Sequence, residues 1–437
     1  MLPTPTTPSA DTQTLETGNY INSAGKFVTP GGVAYADPYL GGRAPEFSMY
    51  NAGIQQALTN NLTLTLNYAG TQSHFLLASG ANGSGYWSNQ LDPKYLLALG
   101  AVADSSGKAP LLGAYATPAN VAIAQANLPG YSLPYASISG TATKATIAQT
   151  LLAFPQYSGV SNTWGNVANI SYNAMEVTLE QRPWHGLSYS LNYTWSANIG
   201  DDGTFRSGYD LPAGAVSGRT QAYKQNRIDR SRTLTDTPQN IAMYGVWELP
   251  FGKGHIGGDH LLVRALAGGL QLSSIFRYTV GTPMVITYGG CNSPSAGTCQ
   301  VDYNPNFTGS VRKNGKMSSF GTQYIDPNAF KAPVTMTTNL SVNYNLIGNV
   351  ARTAPFGLRQ PSFWDDDVSL RRSINITPER MRFIVEVDCL NVANHPTLTG
   401  LTSAWGVPGT PAGNAFGTLT GAQANQRDFQ FAGHLTF

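Results

Sequence analysis

From Leu187 to Ser196 apolar and polar side chains alternate without a slip. Successive side chains on an extended strand point to opposite faces, so Leu187, Tyr189, Leu191, Tyr193 and Trp195 share one face. Ser188, Ser190, Asn192, Thr194 and Ser196 fill the other. One side is bulky and ringed; the other carries small hydroxyls and an amide. The same pattern recurs in Leu62–Tyr68, Met175–Glu180, Met381–Asp388 and Phe429–Phe437. Repetition along the whole chain predicts a wall between lipid and water, not a set of unrelated sheets.

Alternation predicts about nine strands, at 47–58, 62–77, 167–181, 187–199, 239–249, 268–289, 363–374, 380–391 and 427–437. Tight turns join some of them: 59–61, 182–186, 375–379 and the moderately short 250–267. The remaining connections, 78–166, 200–238, 290–362 and 392–426, are long and rich in Gly, Pro, Ser and Asn. Short and long alternate strictly. Connections this long are uncommon in compact soluble domains, whereas outer-membrane barrels carry short periplasmic turns on one rim and long external loops on the other. The last strand then runs toward the periplasm. Residues 1–46 read as the remnant of an external loop, and 47–437 as barrel.

The phase of each strand assigns its faces. Toward lipid fall Leu62, Leu64, Leu66, Tyr68, Met175, Val177, Leu179, Leu270, Leu272, Phe276, Phe383, Val385, Val387, Phe431 and Leu435. Toward the lumen fall the charges Glu176, Glu180, Arg277, Asp365, Asp367, Arg371, Arg380, Arg382, Glu386 and Asp388, with Thr178 among them. A slip of one residue would exchange the faces, so the register is tightly specified. Trp184, Tyr193, Trp195 and Trp247 sit near strand ends, where amphipathic rings favour the membrane interface.

Composition fits this picture. Charged residues make up 11% of the 437-residue chain, against roughly a quarter in soluble domains. The net charge is +2, with no basic run of the kind nucleic acids require. No apolar stretch reaches the ~18 residues of a spanning helix, but barrel strands need only about ten with every second one apolar. The first residues, MLPTPTTPSA, show no signal-peptide pattern, and the expectation is that an N-terminal portion is missing.

Few residues invite chemistry. Cys291 and Cys299 lie close enough in a loop-type segment to form a disulfide in an oxidising compartment, or to stand as two free loop thiols. Cys389 falls on the apolar phase of its strand. Asp365 and Asp367 share a face, as do Glu176 and Glu180, and paired carboxylates can serve as acid and base in a secreted β-rich hydrolase. The blander reading is a hydrated lumen in which acids at 365 and 367 face basic groups at 380 and 382. Asp201-Asp202-Gly203 lacks the ligand spacing of a calcium loop. The six histidines, among them His255, His260 and His395, show no zinc spacing, and no phosphate or dinucleotide fingerprint appears, so neither a metal nor a cofactor is expected. Tyr86, Trp87, Tyr131, Tyr135, Tyr209 and Tyr223 are loop aromatics that either stack on a ligand or pack the loops.

Nine strands are odd in number and few for loops so large, and they read as an arc of a larger wall. Several phrases carry a family resemblance. Tyr172-Asn-Ala-Met-Glu-Val-Thr-Leu-Glu-Gln-Arg, followed by His185-Gly-Leu-Ser-Tyr-Ser-Leu-Asn-Tyr-Thr-Trp-Ser, resembles a hairpin of Oar-like TonB-dependent outer-membrane receptors. So do Glu248-Leu-Pro-Phe-Gly-Lys-Gly, Asn391-Val-Ala-Asn-His-Pro, Asp229-Arg-Ser-Arg and Tyr50-Asn-Ala-Gly-Ile-Gln-Gln-Ala-Leu, in family order. The resemblance implies an all-β antiparallel transmembrane barrel segment, the last nine strands of a 22-stranded barrel whose plug and early strands are absent. It also implies that Phe437 is the terminal aromatic read by the barrel-assembly machinery. The implied function is binding or passage of a bulky solute, with no catalysis. A self-contained porin-like or adhesin-like barrel is the alternative.

Overall fold

A computed structural model describes residues 20–21, 27–28, 33–35, 43–77, 86–87, 89, 91–134, 138, 145–155, 157, 160–162, 166–200, 230–251, 256, 260–262, 267–290, 292, 300–313, 317, 320–336, 339–346, 348–377, 381–423 and 426–437. Nine long strands form one antiparallel sheet in sequence order. They are β1 (Glu46–Ala57), β2 (Leu62–Leu77), β3 (Asn166–Trp184), β4 (Leu187–Gly200), β5 (Gln239–Glu248), β6 (Leu270–Thr279), β7 (Phe363–Thr377), β8 (Met381–Leu390) and β9 (Asp428–Thr436). The two-residue strand Ser231–Arg232 lies against the end of β4. Every neighbour in the sheet is a neighbour in sequence, so each pairing is a hairpin. The order ends at β1 on one side and β9 on the other, and the sheet is open.

The strands begin and end within three residues of the expected positions, with one exception. The sixth was expected to run to 289 but stops at Thr279. Gly281 and Pro283 follow, and Pro cannot donate to a ladder. Met284 and Ile286, apolar enough to extend the alternation, instead leave the wall and are buried in a separate core. The third runs three residues longer than expected, because its turn is only His185-Gly186. Both residues have positive φ, 50° and 79°, and Trp184 pairs with Leu187 across them. Two left-handed residues give a turn whose twist matches the flanking strands. A Cβ on Gly186 would also sit 2.6 Å from the carbonyl oxygen of Glu248.

The long connections fold into two clusters of their own. In the first, α1 (Pro93–Leu99) and α2 (Pro118–Asn127) are each started by a side-chain cap followed by proline. The Asp92 carboxylate accepts from the Lys94 amide, and the Thr117 hydroxyl from the Asn120 amide. Such caps satisfy amides the helix leaves orphaned, and Pro there loses no needed donor. The helices bury Leu96, Leu99, Val121 and Ala124 against Leu111, Ile147 and Tyr344. Tyr131 belongs to this core: it is 8% exposed, and its hydroxyl lies 2.7 Å from that of Thr150. It therefore packs a loop instead of presenting a ring to a ligand. A second cluster joins Met284 and Ile286 to Tyr324, Phe330, Leu358, Trp405 and Phe416, all from the segments around β7 and after β8.

A small pH-sensitive turn sits in the first cluster. The Asp104 carboxylate accepts from the Ser106 hydroxyl at 2.6 Å and from the amides of Ser106, Lys108 and Ala109. The Ser106 hydroxyl, with those amides, holds the Asp104 carboxyl below the usual carboxylate range. A depressed folded pKa contributes stability above the unfolded value and loses it as pH falls through the folded one. The amide resonances of Ser106 and Ala109 are expected to shift together in acid, and Asp104→Asn to abolish that titration. Resonances unmoved by acid would contradict it.

Candidate functional site

Cross-strand partners share a face, so the register sorts the wall without further assumption. One row runs Leu66–Val177–Tyr193–Ile241–Tyr278–Trp364, and another Leu187–Trp247–Leu272–Leu370–Val387–Phe431. These rows make a largely apolar face, interrupted on β7 by Asp366 and Arg372, on which Trp195, Trp184 and Phe431 are each more than half exposed. The first row begins midway along β2 and meets β7 at its second residue. Such a stagger accompanies strand tilt in a barrel wall.

The opposite face is polar. One row runs Thr65–Thr178–Asn192–Ala242–Arg277–Asp365, and another Ser188–Val246–Ser273–Ser369–Asp388–Gln430. Glu176, Glu180, Asp367, Arg371, Arg382 and Glu386 occupy the same face by register. Arg380 lies outside the described residues. Hydroxyls and amides link the strands: Thr178 Oγ1 donates to Asn192 Oδ1 at 3.0 Å, and Ser369 Oγ to Glu386 Oε1 at 3.2 Å.

The expected pairing of acids 365 and 367 with the basic group at 382 does not occur among the described residues. β7 and β8 form a hairpin around 378–380, so residues pair at equal distance from that turn: Thr377 with Met381, Asn375 with Arg382, Arg371 with Glu386. Asp365, at the far end, pairs with Arg277 of β6. Asp367 accepts the Asn391 amide at 2.9 Å and thereby shapes the turn after β8. The Asn391 side chain closes that turn on the His395 backbone: its Oδ1 accepts the His395 amide at 2.9 Å and its Nδ2 donates to the His395 carbonyl oxygen at 3.1 Å. The two acids thus hold different structural partners. Among the described residues no three His, Cys, Asp or Glu side chains come together as a metal site.

At the short-turn end the polar face forms a cleft of about 670 Å³, lined by His185, Gln271, Arg371, Ser373 and Arg382. At the opposite end an ionic hub joins the wall to the folded connections, which together form a cap over that rim. Asp236, 1% exposed, receives Arg359 Nη2, Arg232 Nη1 at 3.4 Å and the Asn198 amide at 2.7 Å. Arg359 Nη1 also donates to the carbonyl oxygens of Asp236 (2.7 Å) and Gly281 (3.2 Å). The Thr353 hydroxyl donates to the carbonyl oxygen of Arg232. One buried carboxylate therefore ties the edge of β4, the start of β5 and the chain entering β7. The sequence does not reveal this hub, because Asp236 and Arg359 lie 123 residues apart with no spacing signal between them.

Cys389 is a buried free thiol. Cys291, Cys299, Asp201, Asp202, Tyr135, Tyr209, Tyr223 and His255 lie outside the described residues, and so do the side chains of Tyr86 and Trp87. No helix among the described residues is long and apolar enough to cross a membrane.

An antiparallel sheet with one largely apolar face, one charged face, short turns on one rim and folded connections on the other is the wall of a membrane β-barrel. The chain belongs to the outer membrane beta barrel domain family, whose model matches residues 2–430, and it is an outer-membrane protein. No curated protein matches the chain significantly. Among solved structures it is similar to the outer membrane transporter YddB from Escherichia coli, at 10% identity and a TM-score of 0.37, covering 93% of this chain and 34% of that one. It is similar also to the ferripyoverdine receptor of the outer membrane of Pseudomonas aeruginosa, at 11% identity and a TM-score of 0.31, covering 90% of this chain and 27% of that one. The chain thus spans about a third or less of the length of these proteins.

Proposed function

We propose that this chain forms one arc of a larger TonB-dependent receptor-type barrel of the Oar-like kind, whose lumen binds or passes a bulky solute. The observation that carries this reading is the direction of the two open edges. Nine antiparallel strands leave β1 and β9 running the same way, so direct closure would create a parallel seam, whereas single-chain bacterial barrels close antiparallel. β1 is exposed along its entire length, as an edge awaiting a neighbour would be. In this reading the polar face is the lumen, further strands and a plug complete the barrel, and Phe437, 94% exposed beyond β9, is the contact for the assembly machinery. The role in this reading is passage of a solute.

Edge cross-linking tests it. With Ile54→Cys on β1, combined in turn with cysteines at Phe429, Phe431 and Gly433 on β9, oxidation in the outer membrane is expected to give no intrachain disulfide. A strong cross-link at any one position would mean that the sheet closes on itself, and the porin-like alternative would replace this reading.

A further inference from the structure

A second cleft lies on the other side of the wall, at the rim where β6, β7 and β8 emerge. It has a volume of about 300 Å³. Its floor is Trp364, stacked on His395 with ring centroids 4.4 Å apart and bordered by Phe276 at 6.3 Å. Trp364 pairs with Tyr278, which places it on the apolar face, and Ser362 lines the cleft just before β7. The cleft therefore opens toward lipid at the level of the cap. Met317, Tyr324 and Leu358 of the cap form its roof.

Its polar groups are donors. Arg359 is neutralised by Asp236. Arg312 is exposed, and the one side-chain hydrogen bond it makes among the described residues runs from Nη2 to the Gly357 carbonyl oxygen at 3.2 Å. The adjacent Lys313 pairs with Asp326, whereas Arg312 has no carboxylate partner among the described residues. Gln360 accepts the Leu401 amide through Oε1, which leaves its Nε2 hydrogens directed elsewhere. Ser362 adds an exposed hydroxyl. A guanidinium, an amide NH2 and a hydroxyl beside an indole floor match a phosphate joined to an apolar chain: Arg favours bidentate phosphate contacts, and Trp favours the interface.

We propose that this cleft binds the phosphate group of an outer-leaflet amphiphile, whose acyl chain runs down the apolar face past Phe276. The proposal rests on the outer-membrane wall itself and not on the transporter reading, so either can fail alone.

Native mass spectrometry of the full chain in dodecyl maltoside, titrated with dodecyl phosphate, tests it. One saturable adduct is expected. Arg312→Gln should weaken it about tenfold, the effect of losing one charge-assisted contact. Arg312→Lys should restore much of the binding, and Ser362→Ala, an exposed change that leaves the fold alone, should weaken it more mildly. Inorganic phosphate at the same concentration should not saturate the site. The proposal is overturned by no saturable adduct, by binding unchanged in Arg312→Gln, or by dodecanol binding as well as dodecyl phosphate. Inorganic phosphate binding as tightly as dodecyl phosphate would also overturn it, by assigning the site to a soluble anion.

Discussion

Replacing Arg359 by Leu is expected to destabilise the cap by about 3–5 kcal/mol, the cost of leaving a buried carboxylate uncompensated. Asp236 has no side-chain exposure and Arg359 only 15%, so water cannot take over the lost charge. Arg232 remains as a second partner at 3.4 Å, which places the effect toward the lower end of that range. Arg359 also holds the Asp236 and Gly281 carbonyl oxygens, so its removal frees the segment leading into β7 from the wall. The expected signature is local. External protease should cut between 300 and 362 in intact cells, while β2 to β5 stay protected. Asp236→Asn in the Arg359→Leu background should recover part of the loss by removing the stranded charge. A single variant as protease-resistant as the parent would contradict the latch.

The second large effect separates two adjacent positions. Val177→Arg puts a charge on the apolar row between Leu66 and Tyr193 and is expected to cost about 2–4 kcal/mol near the membrane midplane. Thr178→Arg places the same side chain one residue on, beside Asn192 on the polar face, where the cost is expected to be about 0.5–1.5 kcal/mol, the loss of its hydrogen bond to Asn192. Unfolding of the reconstituted protein in guanidinium should therefore shift markedly for the first and less for the second. Equal effects would mean that the two faces do not meet different solvents.

The wall was legible in the sequence because the lipid face and the polar face impose a period of two that nothing else in the chain mimics. Leu187–Gly200 shows it most cleanly, and its neighbours repeat it in phase. The limits of legibility have physical causes. Met284 and Ile286 continue the alternation past Pro283, so pattern alone could not say that the chain leaves the sheet there. The cap helices carry starting signals, Asp92-Pro93 and Thr117-Pro118, but their apolar residues face a core assembled from several loops, and the short runs are too small to show helical periodicity. The Asp236 hub and the Trp364 cleft are long-range constellations: 123 residues separate Asp236 from Arg359. The Asp365 pairing needed only hairpin arithmetic, since a residue far from the β7–β8 turn cannot meet Arg382 beside it.

The central claim is that alternate residues of one strand face lipid and water. Nitroxide labels placed singly at each position from 187 to 200, in the protein reconstituted into bilayers, measure it directly through their accessibility to oxygen, which concentrates in lipid, and to a polar nickel chelate, which does not. Oxygen accessibility is expected to peak at Leu187, Tyr189, Leu191, Tyr193 and Trp195, with the chelate reaching the intervening positions. A profile without a period of two, or one with the opposite phase, would contradict the account.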